Sequence, residues 1–197
     1  MEEVVFLDTE ATGLSVEKDR IVSISALYIN DRAERFIFNE LVNPTIPIPK
    51  ESTAIHGIND DHVKPHSTFS VVGKAFFQWM FDTVGPNPIV CAYNGLGYDF
   101  SIIYYELKRH KVAMPAFVSV RGYDPVKQAR VVLKELPSKR QAAVFEHLYG
   151  KAPSAQHTSM GDVYALQSIV AHDKFASSAK DYFQPLALFM PKVPFAI

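Results

Sequence analysis

An apolar, β-prone run at residues 4–9 is the feature that most restricts how this chain can fold. Val4, Val5, Phe6 and Leu7 are apolar at odd and even positions alike, although the side chains of a strand alternate between two faces. A strand that is apolar on both faces lies inside a sheet that is covered on both sides. The run therefore predicts a central strand with packed layers above and below it.

The later segments predict the rest of the sheet. A β-branched run at residues 21–29 and a return strand at 36–42 follow closely, which favours an antiparallel meander. A short buried strand at 89–92 and a fifth strand at 117–120 come later, and parallel crossovers would bring strand 89–92 beside the first strand. Helical patterns fall at residues 51–58, 68–84, 99–111, 126–136, 138–149, 159–171 and 174–183. The order predicts an α/β fold with a mixed central five-stranded sheet flanked by helices on both faces.

Composition and charge narrow the function classes. The 197 residues suit one domain, 1–197, and with 48% hydrophobic and 21% charged residues the chain is neither disordered nor a disulfide scaffold. Lys plus Arg number 20 and Asp plus Glu 21, so the net charge is −1, and any nucleic acid would be held locally at one end. No run reaches the ~18 apolar residues of a membrane span, so no membrane partner is expected. One buried cysteine, Cys91, and no signal peptide indicate an intracellular protein of cytoplasm or nucleus.

Two acids end the first strand on one of its faces. Asp8 and Glu10 are two residues apart, so in a strand they point the same way. Close carboxylates in a poorly solvated place repel each other unless a cation compensates their charge. Carboxylate oxygens favour Mg²⁺ or Mn²⁺ over thiolate-seeking ions. The pair predicts a divalent-metal site, and the alternative is two ordinary exposed charges in a loop.

Two later segments add further candidates. Asp99 follows a buried strand and a glycine-rich turn and opens a helix, where it is either a functional acid or simply an N-cap. His157 precedes Asp162, and Asp162 begins an apolar helix. His56 and Asp61 have the same spacing, but no long helix follows them, so context separates the two pairs.

Taken together, these segments resemble the three exonuclease motifs of the DEDD superfamily in its histidine-containing DEDDh branch. Within that branch they are most similar to the three-prime repair exonuclease (TREX) family. The matching stretches are residues 8–14, Asn94-Gly95 with 98–100, 148–150 and 157–163, and residues 55–58 resemble an element between motifs one and two. The resemblance implies a ribonuclease H-like fold and a metal-dependent 3′→5′ exonuclease that releases nucleoside 5′-monophosphates.

The resemblance also implies the catalytic roles. The residues that would hold two Mg²⁺ ions, with Mn²⁺ as a substitute, are Asp8, Glu10, Asp99 and Asp162. Such an ion pair activates the attacking water and relieves charge on the leaving oxygen. His157 would act as general base, because a reference pKa near 6.5 suits that task. The alternative for His157 is a loop histidine without a catalytic role.

Contacts to the terminal nucleotide follow from the resemblance as well. Ala11 and Leu14 would line the base, with Leu14 as a wedge, and Tyr98 would pack on the sugar or phosphate. The alternative for Leu14 and Tyr98 is core packing. His56 and Ile58 either touch the 3′ end or hold the loop.

The second motif, Asn94-Gly95 with residues 98–100, contains one further candidate for substrate binding, and the residue before it departs from the family pattern. Asn94 lies in that motif and is assigned to substrate binding, whereas Tyr93 stands where family members commonly have histidine. The departure bears on substrate details rather than on the chemistry. Three functions stay open: a DNA exonuclease, an exoribonuclease that trims RNA ends, and a non-catalytic module that binds ends. An edge strand such as 36–42 is a candidate for pairing two copies into a homodimer.

Overall fold

The computed structural model describes residues 2–112 and 120–186. Within this part of the chain, one sheet runs in the order β3-β2-β1-β4-β5-β6. Its strands are β1 (Val4–Ala11), β2 (Ile21–Ile29), β3 (Arg35–Leu41), β4 (Ile89–Cys91), β5 (Arg121–Tyr123) and β6 (Gln184–Pro185). Its helices are α1 (Lys50–His56), α2 (Asp60–Val63), α3 (Phe69–Val84), α4 (Asp99–His110), α5 (Pro125–Val132), α6 (Gln141–Tyr149), α7 (Ser159–Ala171) and α8 (Asp173–Ala176). A 3₁₀ turn, Ala179–Tyr182, precedes β6.

The predicted topology is confirmed, with one correction to the strand count. β1 pairs antiparallel with β2 and parallel with β4, and β2 pairs antiparallel with β3, so the meander and the crossover both form. The described residues contain six strands rather than five. β5 begins at Arg121, while residues 117–119 of the expected fifth strand lie outside the described residues. β6 is two residues long, too short for any periodicity to predict it.

The alternation along β1 divides its side chains between two cores. Val5 and Leu7 belong to the larger core, to which α3 and α4 contribute. Phe6 belongs to a second core on the opposite face, with Val163 and Leu166 of α7. Even-numbered residues of β1 therefore face α7, and odd-numbered residues face α3 and α4.

Several helix boundaries differ from the predicted ones. The helical pattern at 138–149 includes residues outside the helix, because α6 begins at Gln141 with Arg140 at its N-cap position. The ambiguous segment 126–136 is helical only as far as Val132. The weak pattern at 174–183 divides into the short α8 and the 3₁₀ turn.

Two other expectations can be compared with the structure. Cys91 is buried and free, as its apolar surroundings predict. No helix in residues 2–112 and 120–186 combines the length and the apolar character needed to cross a bilayer.

Candidate active site

Strand β1 presents Asp8 and Glu10 on the face that α7 covers. In the antiparallel ladder Asp8 lies opposite Ser25 and Glu10 opposite Ser23, which places all four side chains on one face. The register shifts between Glu10 and Ala11, where β1 leaves its regular pairing. Both acids are half-buried, so their charges are poorly solvated.

Helix α7 brings the third acid to the same place. Thr158 caps the helix by accepting a hydrogen bond from the Gly161 N–H at 3.1 Å. Asp162 follows in the first turns, and one carboxylate oxygen from each of Asp8, Glu10 and Asp162 lies within 4.8 Å of the others. Three hard oxygen donors at this separation fit a divalent cation such as Mg²⁺ or Mn²⁺.

Asp99 approaches this cluster from the other face of the sheet. Its side chain is only 4% exposed, and one carboxylate oxygen accepts hydrogen bonds from the Thr9 N–H at 3.0 Å and the Thr9 hydroxyl at 2.7 Å. Asp99 is the first residue of α4, and Tyr98 occupies the N-cap position, so the carboxylate is not used as a helix cap. It stands outside the group of three acids, although its charge acts on Asp8.

Burial and mutual repulsion raise the pKa values of the clustered carboxyl groups, an effect that a bound cation would offset. Burial first, and then the charges of Asp99, Glu10 and Asp162, hold the pKa of Asp8 well above its ordinary value. Burial, followed by repulsion from Asp162 and Asp99, raises the pKa of Glu10 to about 8. Burial also raises the pKa of Asp162, while a hydrogen bond and the nearby charge of His157 oppose the rise. A bound divalent ion would reverse these shifts, because it stabilises the ionised carboxylates.

His157 lies in a tight turn before α7. Its φ is 61°, and that of Ala155 is 55°, so both residues occupy the left-handed region. The His157 N–H donates to a carboxylate oxygen of Asp162 at 3.1 Å, and the His157 side chain is exposed. Gly161 permits this turn, since a Cβ there would stand 2.1 Å from the Ala155 carbonyl oxygen. The backbone of His157 thus lies beside the acids with its ring free to face solvent.

The segment after Glu10 is held by three side chains. The carbonyl of Thr12 accepts a hydrogen bond from the Ser52 hydroxyl at 2.7 Å, and the carbonyl of Gly13 accepts one from the Tyr98 hydroxyl at 2.5 Å. Ala11 is buried, whereas Leu14 at the tip is 89% exposed. Leu14 is therefore not a core residue, whereas Tyr98 is partly buried against the larger core and its hydroxyl bonds to the loop.

His56 makes the third of these contacts. Its Nδ1 accepts a hydrogen bond from the Ile58 N–H at 3.1 Å, so Nε2 carries the proton and donates to the Ala11 carbonyl at 3.2 Å. Burial lowers the pKa of His56, which keeps the ring neutral. Ile58 packs on Val22, Ile48 and Val63. Of the two alternatives for His56 and Ile58, these contacts match that of holding the loop.

Asn94 is held from the next strand by a residue that the sequence analysis missed. The buried Asp124 accepts hydrogen bonds from the N–H groups of Asn94 at 2.9 Å, Leu96 at 3.4 Å and Val126 at 3.1 Å. It both caps α5 and fastens the loop that leads to Asp99. The Asp124-Pro125 pair is a helix-start signal that could have identified the cap. Its contacts with the Asn94 loop depend on tertiary structure.

Comparison with known proteins gives the family of the chain. Residues 5–170 match the model of the exonuclease family of RNase T type. The chain is 26% identical to three prime repair exonuclease 2 of Mus musculus over 197 residues, which cover 87% of this chain and 83% of the relative. It is 36% identical to an uncharacterized exonuclease of Escherichia phage 186 over 117 residues, 57% of this chain and 53% of the relative.

Solved structures with the same fold include two nucleases. The crystal structure of E. coli exonuclease I in complex with a dT13 oligonucleotide superposes with a TM-score of 0.72 at 17% identity, covering 92% of this chain and 42% of that one. The crystal structure of cell-death related nuclease 4 superposes with a TM-score of 0.70 at 17% identity, covering 86% of this chain and 62% of that one. This chain thus spans about half of the phage exonuclease and less than half of exonuclease I. With most of its length matched by the family model, the chain belongs to the exonuclease family, as a DEDDh-type member with a ribonuclease H-like fold.

Proposed function

We propose that the protein is a 3′→5′ exonuclease that removes nucleotides from single-stranded or frayed ends of DNA and releases nucleoside 5′-monophosphates. The observation that carries the proposal is the convergence of one carboxylate oxygen from each of Asp8, Glu10 and Asp162 within 4.8 Å. Leu14, four residues after Glu10 in the chain, is exposed. The acids suit a metal-assisted phosphodiester hydrolysis, and the exposed leucine suits contact with a terminal base. The whole of 1–197 acts as one exonuclease domain in this proposal.

Four carboxylates form the proposed metal-binding set. Asp8, Glu10 and Asp162 would hold the ions directly, and Asp99 would complete the set from the α4 side. When two Mg²⁺ or Mn²⁺ ions are bound, they neutralise the charge that develops on the attacking and leaving oxygens. The raised pKa values of Asp8 and Glu10 support this assignment, since a structural ion pair would lower them.

His157 is the proposed general base. Its exposed ring is tethered beside the cluster, because its own N–H is bonded to the Asp162 carboxylate. In this role the imidazole would take the proton of the attacking water. The strained φ of 61° supports a role that needs the side chain at one defined place.

Ala11, Leu14 and Tyr98 are the proposed contacts of the 3′-terminal nucleotide. Apolar and aromatic contacts do not distinguish one base from another, so sequence preference is expected to be weak. Asn94, His56 and Ile58 act from behind them, through the loops that they hold. A net charge of −1 argues for short bound tracts and a shallow dependence of binding on salt.

DNA is favoured over RNA by the relatives. One is named a three prime repair exonuclease, and an exonuclease I of the same fold binds a dT13 oligonucleotide. The exoribonuclease remains the second candidate, because one DEDDh scaffold serves both polymers. Oligomers of identical sequence in DNA and RNA, each labelled at the 3′ nucleotide, separate the two by their rates of Mg²⁺-dependent mononucleotide release.

The decisive test of catalysis uses two substitutions. Asp162→Asn and His157→Ala should each abolish metal-dependent digestion while the circular dichroism spectrum stays that of the wild type. Unchanged digestion in both variants would refute the assignment. A non-catalytic end-binding module predicts instead that the wild type binds labelled ends but releases no mononucleotide at any Mg²⁺ concentration.

Assembly and location complete the proposal. β3 is the outer strand of the sheet among the described residues, and its Phe36 and Ile37 are partly exposed. Pairing of this edge across a two-fold axis would give a homodimer, which analytical ultracentrifugation tests. The proposed site of action is intracellular, in cytoplasm or nucleus.

A further inference from the structure

Three buried serines form a polar contact between the sheet and α7. The Ser159 hydroxyl lies 2.8 Å from the Ser23 hydroxyl and 2.6 Å from the Ser25 hydroxyl. The Ser25 hydroxyl in turn donates to the side-chain oxygen of Asn39 on β3, at 2.7 Å. All three serines are buried. Polar groups in such a place persist only if they are hydrogen-bonded, so the contact is specific rather than incidental.

The donor and acceptor roles of these hydroxyls follow from the bond to Asn39. A hydroxyl has a single proton to donate, and Ser25 gives its proton to Asn39. Ser159 must therefore donate to Ser25, which leaves its lone pairs to accept the proton of Ser23. The hydrogen bonds therefore run from Ser23 to Ser159, from Ser159 to Ser25, and from Ser25 to Asn39. Every hydroxyl is used, and Ser159, in the middle, depends on both strand residues.

These hydrogen-bonded serines lie beside the acid cluster, on the same face of the sheet. Ser25 is the ladder partner of Asp8, and Ser23 is the partner of Glu10. Ser159 is the first residue of α7 and stands three residues before Asp162, so the two share one side of the helix. The hydrogen bonds of Ser159 consequently join the strand pair that carries two acids to the helix turn that carries the third.

We propose that Ser159 is a positioning residue that sets the distance of Asp162 from Asp8 and Glu10, and thereby the affinity of the site for divalent cations. The proposal rests on the metal site assigned under the proposed function. Partners that orient metal ligands typically account for about 10–100-fold in metal affinity. Without its hydroxyl, the first turn of α7 would be free to settle elsewhere on β2, and the Ser23 and Ser25 hydroxyls would lose their common partner.

The test measures Mn²⁺ binding by isothermal titration calorimetry and by the electron paramagnetic resonance of free Mn²⁺, well below the unfolding temperature. Ser159→Ala is expected to bind Mn²⁺ at least about tenfold more weakly than the wild type. Ser168→Ala is the matched control, because Ser168 lies on the same helix and its hydroxyl donates only to the Tyr164 carbonyl at 2.9 Å. This control should bind Mn²⁺ as the wild type does.

A triple variant separates positioning from stability. Replacing Ser23, Ser25 and Ser159 together by alanine removes donors and acceptors at once, so the unfolding temperature should recover relative to Ser159→Ala. Mn²⁺ affinity should stay low, because the hydrogen bonds that aligned the acids are absent. Recovery of wild-type affinity in the triple variant, or wild-type affinity in Ser159→Ala, would overturn the positioning role.

Asp162→Asn in the same assay distinguishes failure of the positioning role of Ser159 from failure of the proposed metal site. Loss of Mn²⁺ binding in Asp162→Asn, with wild-type binding in Ser159→Ala, would leave the metal site intact and reject only the role of Ser159. Wild-type Mn²⁺ binding in both variants would reject the metal site and the positioning role together.

Discussion

Leu14 shows how exposure of a single residue separates function from stability. Because this side chain is 89% exposed, Leu14→Ala should leave the free energy of unfolding unchanged within about 0.5 kcal/mol. The loss of the proposed apolar contact with the terminal base, worth about 1.5 kcal/mol for a leucine side chain that the base covers, should raise KM for a DNA end about tenfold. Steady-state kinetics and urea unfolding check the two halves of this prediction.

Val71→Ala supplies the control at the same scale. Val71 is an apolar side chain of α3 that is 56% exposed, so its removal tests whether trimming any exposed apolar group affects the enzyme. Neither KM nor stability should change. An equal rise of KM in both variants, or none in Leu14→Ala, would contradict the base contact.

At the scale of elements, the placement of α4 depends on a cap that belongs to another helix. Asp124→Ala removes the acceptor of three N–H groups, two of them in the loop that leads to Asp99. The expected cost is about 2 kcal/mol of folding free energy, together with a higher Mg²⁺ concentration for half-maximal hydrolysis. Thermal unfolding and a Mg²⁺ titration of activity measure both effects.

The capping box of α2 provides the comparison for Asp124. Asn59 accepts a hydrogen bond from the His62 N–H at 3.1 Å, and Asn59→Ala should cost about 1 kcal/mol. Its Mg²⁺ requirement should match that of the wild type, since α2 carries none of the four proposed metal ligands. A Mg²⁺ requirement in Asp124→Ala that equals that of Asn59→Ala would show that the Asp124 loop does not place Asp99.

How far the sequence predicts these elements depends on how local their causes are. The continuous apolar run of β1 and the apolar stripe of α3 depend only on neighbouring residues, so both elements were predictable, and the two-residue period of a strand gave the shared face of Asp8 and Glu10. Asp124 and Ser159 act through partners that are distant in the chain, and no spacing rule reveals them. Likewise, the two residues of β6 pair only because β5 is already in place.

For the whole molecule, Glu106 links stability to pH away from the acid cluster. Burial raises its pKa from 4.5 to about 7, although the charge of Arg20 and a backbone hydrogen bond from Ile21 oppose the rise. The same carboxylate also pairs with Arg109 and lies 3.1 Å from Nε2 of His110. The native state therefore keeps a proton that the unfolded chain has released, and its stability falls as pH rises from about 4.5 to about 7. Glu106→Gln lacks this titrating group. Between pH 5 and pH 8 its free energy of unfolding should therefore decrease by about 2 kcal/mol less than that of the wild type.

Urea unfolding at the two pH values measures this difference. Glu146→Gln, at an exposed position of α6, is the control for replacing a glutamate by glutamine. Parallel pH profiles for Glu106→Gln and the wild type would contradict the raised pKa of Glu106.

The alternation along β1 makes hydrolysis a report on how the sheet has assembled. Because Asp8 and Glu10 lie on one face and Thr9 on the other, a slip of one residue in the pairing of β1 would exchange them. The carboxylates would then face the apolar core beneath α3 and α4, and Leu7 would take a place in the proposed metal site. A molecule with the wrong register would keep its strand content but would not hydrolyse substrate. Specific activity would therefore report the fraction of molecules in which β1 has its native register.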